Sequence, residues 1–182
     1  MIRKACYIIL FLSFIKVNLL SQQVADTTYN PVISKPEYAI GKGSLILIDE
    51  GHNNFHTAGE RYLPFARLLR ADGYRVKGFA GEFMDPFPND TRILVIANAL
   101  NRINIQNWFL PTPSAFSDSE IDVVQKWVRK GGSLFLIADH MPMGGAAAAL
   151  AAAFGFKFTN GFAADTSSPG PAMFYRKDTT LL

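Results

Sequence analysis

Three runs of apolar residues, interrupted by very few polar side chains, place the strongest constraint on how this chain can fold. They are SLILID (44–49), RILVIANA (92–99) and SLFLIAD (133–139). A strand with one face in water alternates apolar and polar residues, whereas a strand covered by helices on both faces is apolar throughout. The three runs therefore predict buried strands of a parallel sheet.

Helix signals lie between these runs. Thr57 and Glu60 have the spacing of a capping box, which predicts a first helix that begins there and ends at Gly73. Ser117 and Glu120 repeat this spacing and predict the start of a second helix. In a capping box, two side chains bond backbone N–H groups that the first helical turn leaves without partners.

Shorter segments complete the predicted order of elements. Residues 74–79, 156–162 and 172–177 are predicted as further strands, and an alanine-rich stretch, 144–155, as a third helix. Strands that alternate with helices favour a three-layer α/β fold, here a flavodoxin-like parallel sheet with helices on both faces. Because the last predicted strand has no following partner, we expect the domain to be truncated at its C-terminus.

The first residues have the layout of a secretory signal peptide. A positive start precedes an apolar run at 5–15, which is too short for the roughly 20 residues of a membrane-spanning helix. We expect residues 1–21 to be removed on export and the protein to be periplasmic or secreted, without stable membrane insertion. An uncleaved anchor is the alternative. Residues 22–43 are predicted as an extended lead-in and residues 44–182 as the α/β domain.

Charge and cysteine content exclude two classes of function once this leader is gone. The leader holds three basic and no acidic residues, so the remainder carries 15 residues of each sign. A chain without a basic excess is not typical of nucleic-acid binding. Cys6 is the only cysteine and lies in the leader, so the exported chain has neither a disulfide nor a thiol nucleophile.

Polar side chains collect where the predicted strands end. Ligands of open parallel sheets bind beyond the carboxyl ends of the strands, and all three histidines of the chain fall at this edge. First, third and fourth strands are neighbours in a flavodoxin-like order, so these groups are expected to share one crevice. The candidates are Asp49, Glu50, His52, Asn53, His56, Asn98, Asp139 and His140.

Two chemical interpretations of this set remain open. In one, His52, His56 and His140 hold a divalent metal such as zinc, which activates a water molecule. In the other, His52 or His140 is a general base that Glu50 or Asp139 orients. Glu50, His52, Asp139 and His140 are the catalytic candidates under either interpretation.

A supporting role is predicted for the remaining candidates. Asp49, Asn53 and Asn98 are expected to contact the ligand. The simpler interpretation of any one of them is structural, because a strand-end Asp bonds nearby N–H groups and Asn shapes turns. The convergence of the whole set on one edge favours a ligand site.

Three motifs, in this order, resemble a known family. They are LIDEGHNNFHTAGERYLPFARLLRADGYRV (47–76), RILVIANAL (92–100) and the block that contains GGSLFLIADH (131–140). The chain resembles an exported bacterial family of unknown function that is grouped with class I glutamine amidotransferase-like domains. It is similar to auxiliary domains of gliding-type ABC transport systems. The resemblance implies a flavodoxin-like fold, no established reaction, and a domain that continues beyond this chain.

The chain departs from true amidotransferases at the residue that matters most for their reaction. The resemblance implies a cysteine after the strand 133–139, where this chain has Asp139 and His140. Glutaminase activity by a thiol is therefore excluded, and any enzyme here is a hydrolase without a cysteine nucleophile.

Two functions are carried forward. The first is an exported domain that binds a small polar ligand, a sugar or a cell-wall fragment, with metal-assisted hydrolysis as an extension. The alternative is a non-catalytic scaffold or interaction domain, with a protein partner in an envelope or transport complex.

Overall fold

A parallel sheet of four strands lies at the centre of the structure, a computed structural model that describes residues 24–88 and 90–163. The strands are β1 (Leu45–Asp49), β2 (Arg75–Phe79), β3 (Thr91–Ala97) and β4 (Ser133–Ile137). They pair in the order β2-β1-β3-β4, and every pair is parallel. The predicted flavodoxin-like α/β sheet is confirmed, and β1, β3 and β4 are neighbours as expected.

Helices cover both faces of this sheet. They are α1 (Leu63–Ala71), α2 (Asp118–Arg129) and α3 (Met143–Ala153), with a short 3-10 helix at Arg102–Asn104. Val124 of α2 and Leu150 of α3 are fully buried in the apolar cluster on one face, and Ala66 of α1 is buried in the cluster on the other. The three-layer prediction is therefore confirmed for the described residues.

The start of the first helix differs from the prediction. Helix α1 begins at Leu63, and the side chain of its N-cap residue, Tyr62, makes no capping hydrogen bond. The carbonyl of Thr57 instead accepts the N–H groups of Glu60 and Tyr62 and closes turns. A helix that started at 57 would hold Pro64 in its interior, where the missing N–H breaks the ladder, whereas Pro suits the first turn.

The predicted strand at 156–162 is wrong, because this segment makes no ladder with β4. It is tied to the start of α3: the Asn160 side chain accepts the N–H of Gly145 and donates to the Thr112 hydroxyl. The carbonyl of Gly161 accepts the N–H of Met141. β4 is therefore an edge of the sheet as far as the chain is described, and the predicted strand 172–177 lies outside the described residues.

The lead-in packs against the domain without forming a helix or a strand over residues 24–43. The Glu37 N–H donates to the Asp72 carboxylate (2.8 Å), and the Gly43 N–H donates to the Gly73 carbonyl (2.9 Å). None of the described helices has the length and hydropathy needed to cross a membrane. The predicted signal peptide lies outside the described residues.

Candidate functional site

A buried triad, consisting of Asp49, His52 and Glu120, lies at the carboxyl end of the sheet. The His52 Nδ1 atom is 2.9 and 3.0 Å from the two Asp49 oxygens, and Nε2 is 2.9 Å from Oε1 of Glu120. The three residues are 0, 6 and 8% exposed, respectively. The Phe83 and Phe116 rings pack on the imidazole with centroid distances of 4.7 and 4.6 Å. The triad is therefore sealed from solvent.

Each member of the buried triad comes from a different local context. Asp49 ends β1 and also accepts a bond from the Asn54 side chain (2.9 Å). Glu120 lies in the first turn of α2, where it accepts the N–H (2.9 Å) and the hydroxyl (2.8 Å) of Ser117 in the predicted capping box. His52 therefore ties the loop after β1 to the start of α2.

Opposite charges stabilise the triad. Burial alone would lower the pKa of His52, but the hydrogen bonds and charges of Asp49 and Glu120 outweigh it and raise the pKa above the ordinary 6.5. Burial likewise would raise the pKa of Glu120, but the bonds from Ser117 and His52 outweigh it and lower that pKa. Because carboxylates only accept, an imidazolium that donates from both nitrogens satisfies this geometry.

This geometry bears directly on the predicted chemistry of His52. A general base or a metal ligand needs a ring nitrogen with an available lone pair, and both nitrogens of His52 face carboxylates. The described residues also contain no group of three or more His, Cys, Asp or Glu side chains that could hold a metal ion. The predicted zinc set of His52, His56 and His140 is therefore not assembled in this part of the chain.

A second cluster, the edge network, consists of His56, Asn98 and Asp139. Asn98 directly follows β3, is fully buried and has a positive φ of 50°. Its Oδ1 accepts the backbone N–H of Asp139 (3.0 Å), which fixes the orientation of the amide. Nδ2 then donates to the Asp139 carboxylate (2.7 Å) and lies 3.2 Å from Nδ1 of His56. Asn98 thus joins the ends of β3 and β4 to the loop that follows β1.

The edge network holds a neutral imidazole at neutral pH. Burial lowers the pKa of His56, and the positive charge of Arg61 acts in the same direction, while the charge of Asp139 opposes both. The Tyr62 ring packs on His56 with a centroid distance of 4.6 Å. Burial, with the charge of Asp139, raises the pKa of the Tyr62 phenol. A neutral imidazole and a neutral phenol therefore lie near the Asp139 side chain.

A row of rings, consisting of Trp108, His140 and Phe162, continues from the edge network. The His140 ring stacks on Phe162 (4.6 Å, 24° between planes) and lies 5.7 Å from the Trp108 ring. The Nδ1 atom of His140 is 2.7 Å from the Met141 carbonyl oxygen, so this nitrogen is used within the turn. Asp139 itself is exposed. An exposed carboxyl group and a row of rings thus share one surface.

The remaining two candidates shape the loop after β1. Oε1 of Glu50 accepts the N–H of Ala58 (2.9 Å), and the Glu50 carboxylate covers Gly78 of β2. Asn53 has a φ of 49° and donates from its side chain to the Leu100 carbonyl (3.1 Å). Neither residue contacts the buried triad or the edge network through these bonds.

The sequence interpretation left Glu120 out of the site, and for Trp108 it left open whether the side chain lines a pocket or packs in a small core. Glu120 was assigned only a capping role, although the capping box itself contained the missing signal. A helix that follows a parallel strand begins at the carboxyl edge, so an acidic group in its first turn faces the same edge as Asp49. The position of Trp108 had no such signal, because it lies in the irregular connection between β3 and α2.

No family model, curated protein or solved structure matches this chain. The amidotransferase-like resemblance therefore stays a prediction, while the flavodoxin-like sheet rests on the strand order described above.

Proposed function

We propose that this chain binds a small polar ligand, of the kind that a sugar or a cell-wall fragment offers, at the carboxyl edge of its sheet. The observation that carries the proposal is the exposed carboxyl group of Asp139, which a fully buried amide, Asn98, holds in position at 2.7 Å. A carboxylate fixed in this way accepts hydroxyl groups without first losing side-chain entropy.

The row of rings supports a ligand with an apolar face. Trp108 and Phe162 are 37 and 68% exposed, and both contact His140. Binding sites combine apolar and aromatic walls with a few placed polar groups. A sugar ring has C–H groups on its faces and hydroxyl groups around its rim, so it can pack on a ring while it bonds to a carboxylate.

Hydrolysis at this edge has less support than binding. His52 has both nitrogens on carboxylates, and Nδ1 of His56 accepts an N–H from Asn98.

We extend the proposal to a location outside the cytoplasm on the basis of the leader pattern in residues 1–21, and to descent from an amidotransferase-like domain on the basis of the three motifs quoted above.

Calorimetric titration with a panel of glycan and cell-wall fragments tests the proposal. D139N keeps the side-chain shape and removes the charge, and W108A removes one wall; each should weaken binding roughly tenfold or more, as expected for loss of a charged hydrogen bond or an aromatic contact. D122N is the matched control, because Asp122 is exposed on α2 and pairs with Lys126 there. Equal affinity of D139N and wild type would contradict the proposal.

An apolar groove beside β4 favours the second candidate, a scaffold or interaction domain. The groove has a volume of about 500 Å³ and contains Leu134, Phe135, Phe154 and Phe156 among its lining residues. Phe135 is 51% exposed although it lies in a strand. Exposed apolar edges of this kind attract other chains.

Photocrosslinking distinguishes the two candidates. A scaffold should show no glycan binding, and a photoreactive residue in place of Phe135 should crosslink a defined partner. The same residue in place of Val24, which is 81% exposed in the lead-in, should not. Crosslinking that is equal at both positions would exclude the groove as a specific surface.

A further inference from the structure

The connection between β3 and α2 displays large apolar side chains to solvent. Within residues 103–110, Ile103, Trp108, Phe109 and Leu110 are 55, 37, 72 and 69% exposed. Ile105 is 40% exposed. Single exposed apolar residues are ordinary, but contiguous apolar patches on a protein surface mark interaction sites.

This loop is held in its conformation by buried polar groups. The Asn101 side chain donates to the Ser114 carbonyl (2.7 Å) and closes the base of the loop. Asn104 is 1% exposed, and its amide donates to the carbonyls of Asn107, Phe109 and Pro111 (3.0, 3.0 and 3.2 Å). The backbone carbonyls therefore turn inward, which leaves the apolar side chains on the outside as a built feature.

Charge around the loop identifies the kind of surface that it fits. The connection itself, residues 98–117, contains no acidic residue and one cation, Arg102. Lipid headgroups carry phosphates, which attract cations and repel acidic side chains, and Trp is favoured at the boundary of headgroups and acyl chains. One acidic group, Asp139, lies in the neighbouring turn, where the Asn98 amide donates to it.

We propose that this loop rests on the surface of a lipid bilayer, with Phe109 and Leu110 in the headgroup–acyl boundary and Trp108 at the level of the headgroups. Arg102 then lies near lipid phosphates. This is a peripheral contact that depends on buried apolar area and on anionic lipid. It goes beyond ligand binding at Asp139 and does not require it, although both proposals use Trp108.

Quenching of tryptophan fluorescence by brominated lipids tests this contact in the full chain. The sequence has two tryptophans, so W127F leaves Trp108 as the only reporter and W108F leaves Trp127, which stacks on Phe87 (4.8 Å) near the other end of α2. Vesicles of phosphatidylcholine and phosphatidylglycerol with brominated acyl chains should quench Trp108 and leave Trp127 unchanged. The readout is quenching rather than sedimentation with vesicles, because the apolar residues 1–21 could bind lipid by themselves and carry the protein into the pellet.

A loop variant and a matched control complete the experiment. F109S/L110S, made on the W127F background, should require roughly tenfold or more lipid for the same quenching, because two exposed apolar side chains no longer transfer out of water. V24S/V32S removes two apolar side chains that are 81 and 91% exposed elsewhere and should leave the curve unchanged. Unquenched Trp108, or equal quenching of the loop variant and its parent when circular dichroism shows both to be folded, would overturn the proposal.

Discussion

Removal of the His52 imidazole should destabilise the protein by about 3–5 kcal/mol, which is the usual cost of breaking a buried ion pair from one side. H52A removes the cation that contacts both Asp49, which is fully buried, and Glu120, a residue that is 8% exposed. Domains of this kind have total stabilities of about 5–15 kcal/mol. The variant should therefore lose a large part of its free energy of unfolding.

Urea unfolding at pH 6, followed by circular dichroism, measures this loss under conditions where His52 is charged. H140A is the control, because His140 is a partly exposed ring that stacks on Phe162 (4.6 Å), and its removal should cost about 1 kcal/mol or less. A loss below about 1 kcal/mol for H52A, or a loss no greater than that of H140A, would refute the buried imidazolium.

Three further predictions follow from the described contacts. NMR titration should give a pKa for His52 above the ordinary 6.5 and a pKa for His56 below it. The contribution of His52 to the free energy of unfolding is then complete below pH 6.5 and is lost as the pH rises through the folded-state pKa. The reverse order of the two pKa values would contradict the two networks. In urea unfolding, Gly73→Ala should lower the free energy of unfolding by several kcal/mol more than Gly131→Ala. Both glycines have a positive φ, but only at Gly73 would the added Cβ meet a backbone carbonyl of the lead-in. Equal losses of free energy would show that the lead-in is not docked. S117A should lower the melting temperature by the equivalent of about 1 kcal/mol through loss of the helix cap, and an unchanged temperature would count against it.

The sheet was predictable because its signals are local and repeated. Apolar runs marked β1, β3 and β4, and the alternation with helices indicated their parallel pairing. Gly73 lies just beyond the end of α1 at a φ of 91°, as its position in the pattern predicted. The Ser117–Glu120 box begins α2 as its spacing required. These features depend on residues a few positions apart.

Two errors arose, one where a second local signal outweighs the first and one where a distant contact decides the structure. Thr57 and Glu60 have the spacing of a capping box, but Pro64 moves the helix start to Leu63. The segment 156–162 has the composition of a strand, yet it bonds to α3 and to a residue 48 positions earlier.

The histidines show the same limit within the site. Their convergence on one edge of the sheet was predicted. In the structure, the Asn98 side chain contacts both His56 and Asp139, and His140 is the residue that follows Asp139 in the sequence. Their division into two networks was not predictable, because the second carboxylate partner of His52, Glu120, is 68 residues away. No local pattern separates a charged structural histidine from a ligand-facing one.

The most direct test of ligand binding at the carboxyl edge is an NMR titration of the labelled protein with cell-wall glycan fragments. The resonances of the Trp108 indole, the His140 ring and the Asn98 amide should shift together and saturably, while the His52 ring, sealed in the buried triad, should not move. An absence of shifts with every fragment, or shifts confined to the apolar groove beside β4, would contradict the proposed function.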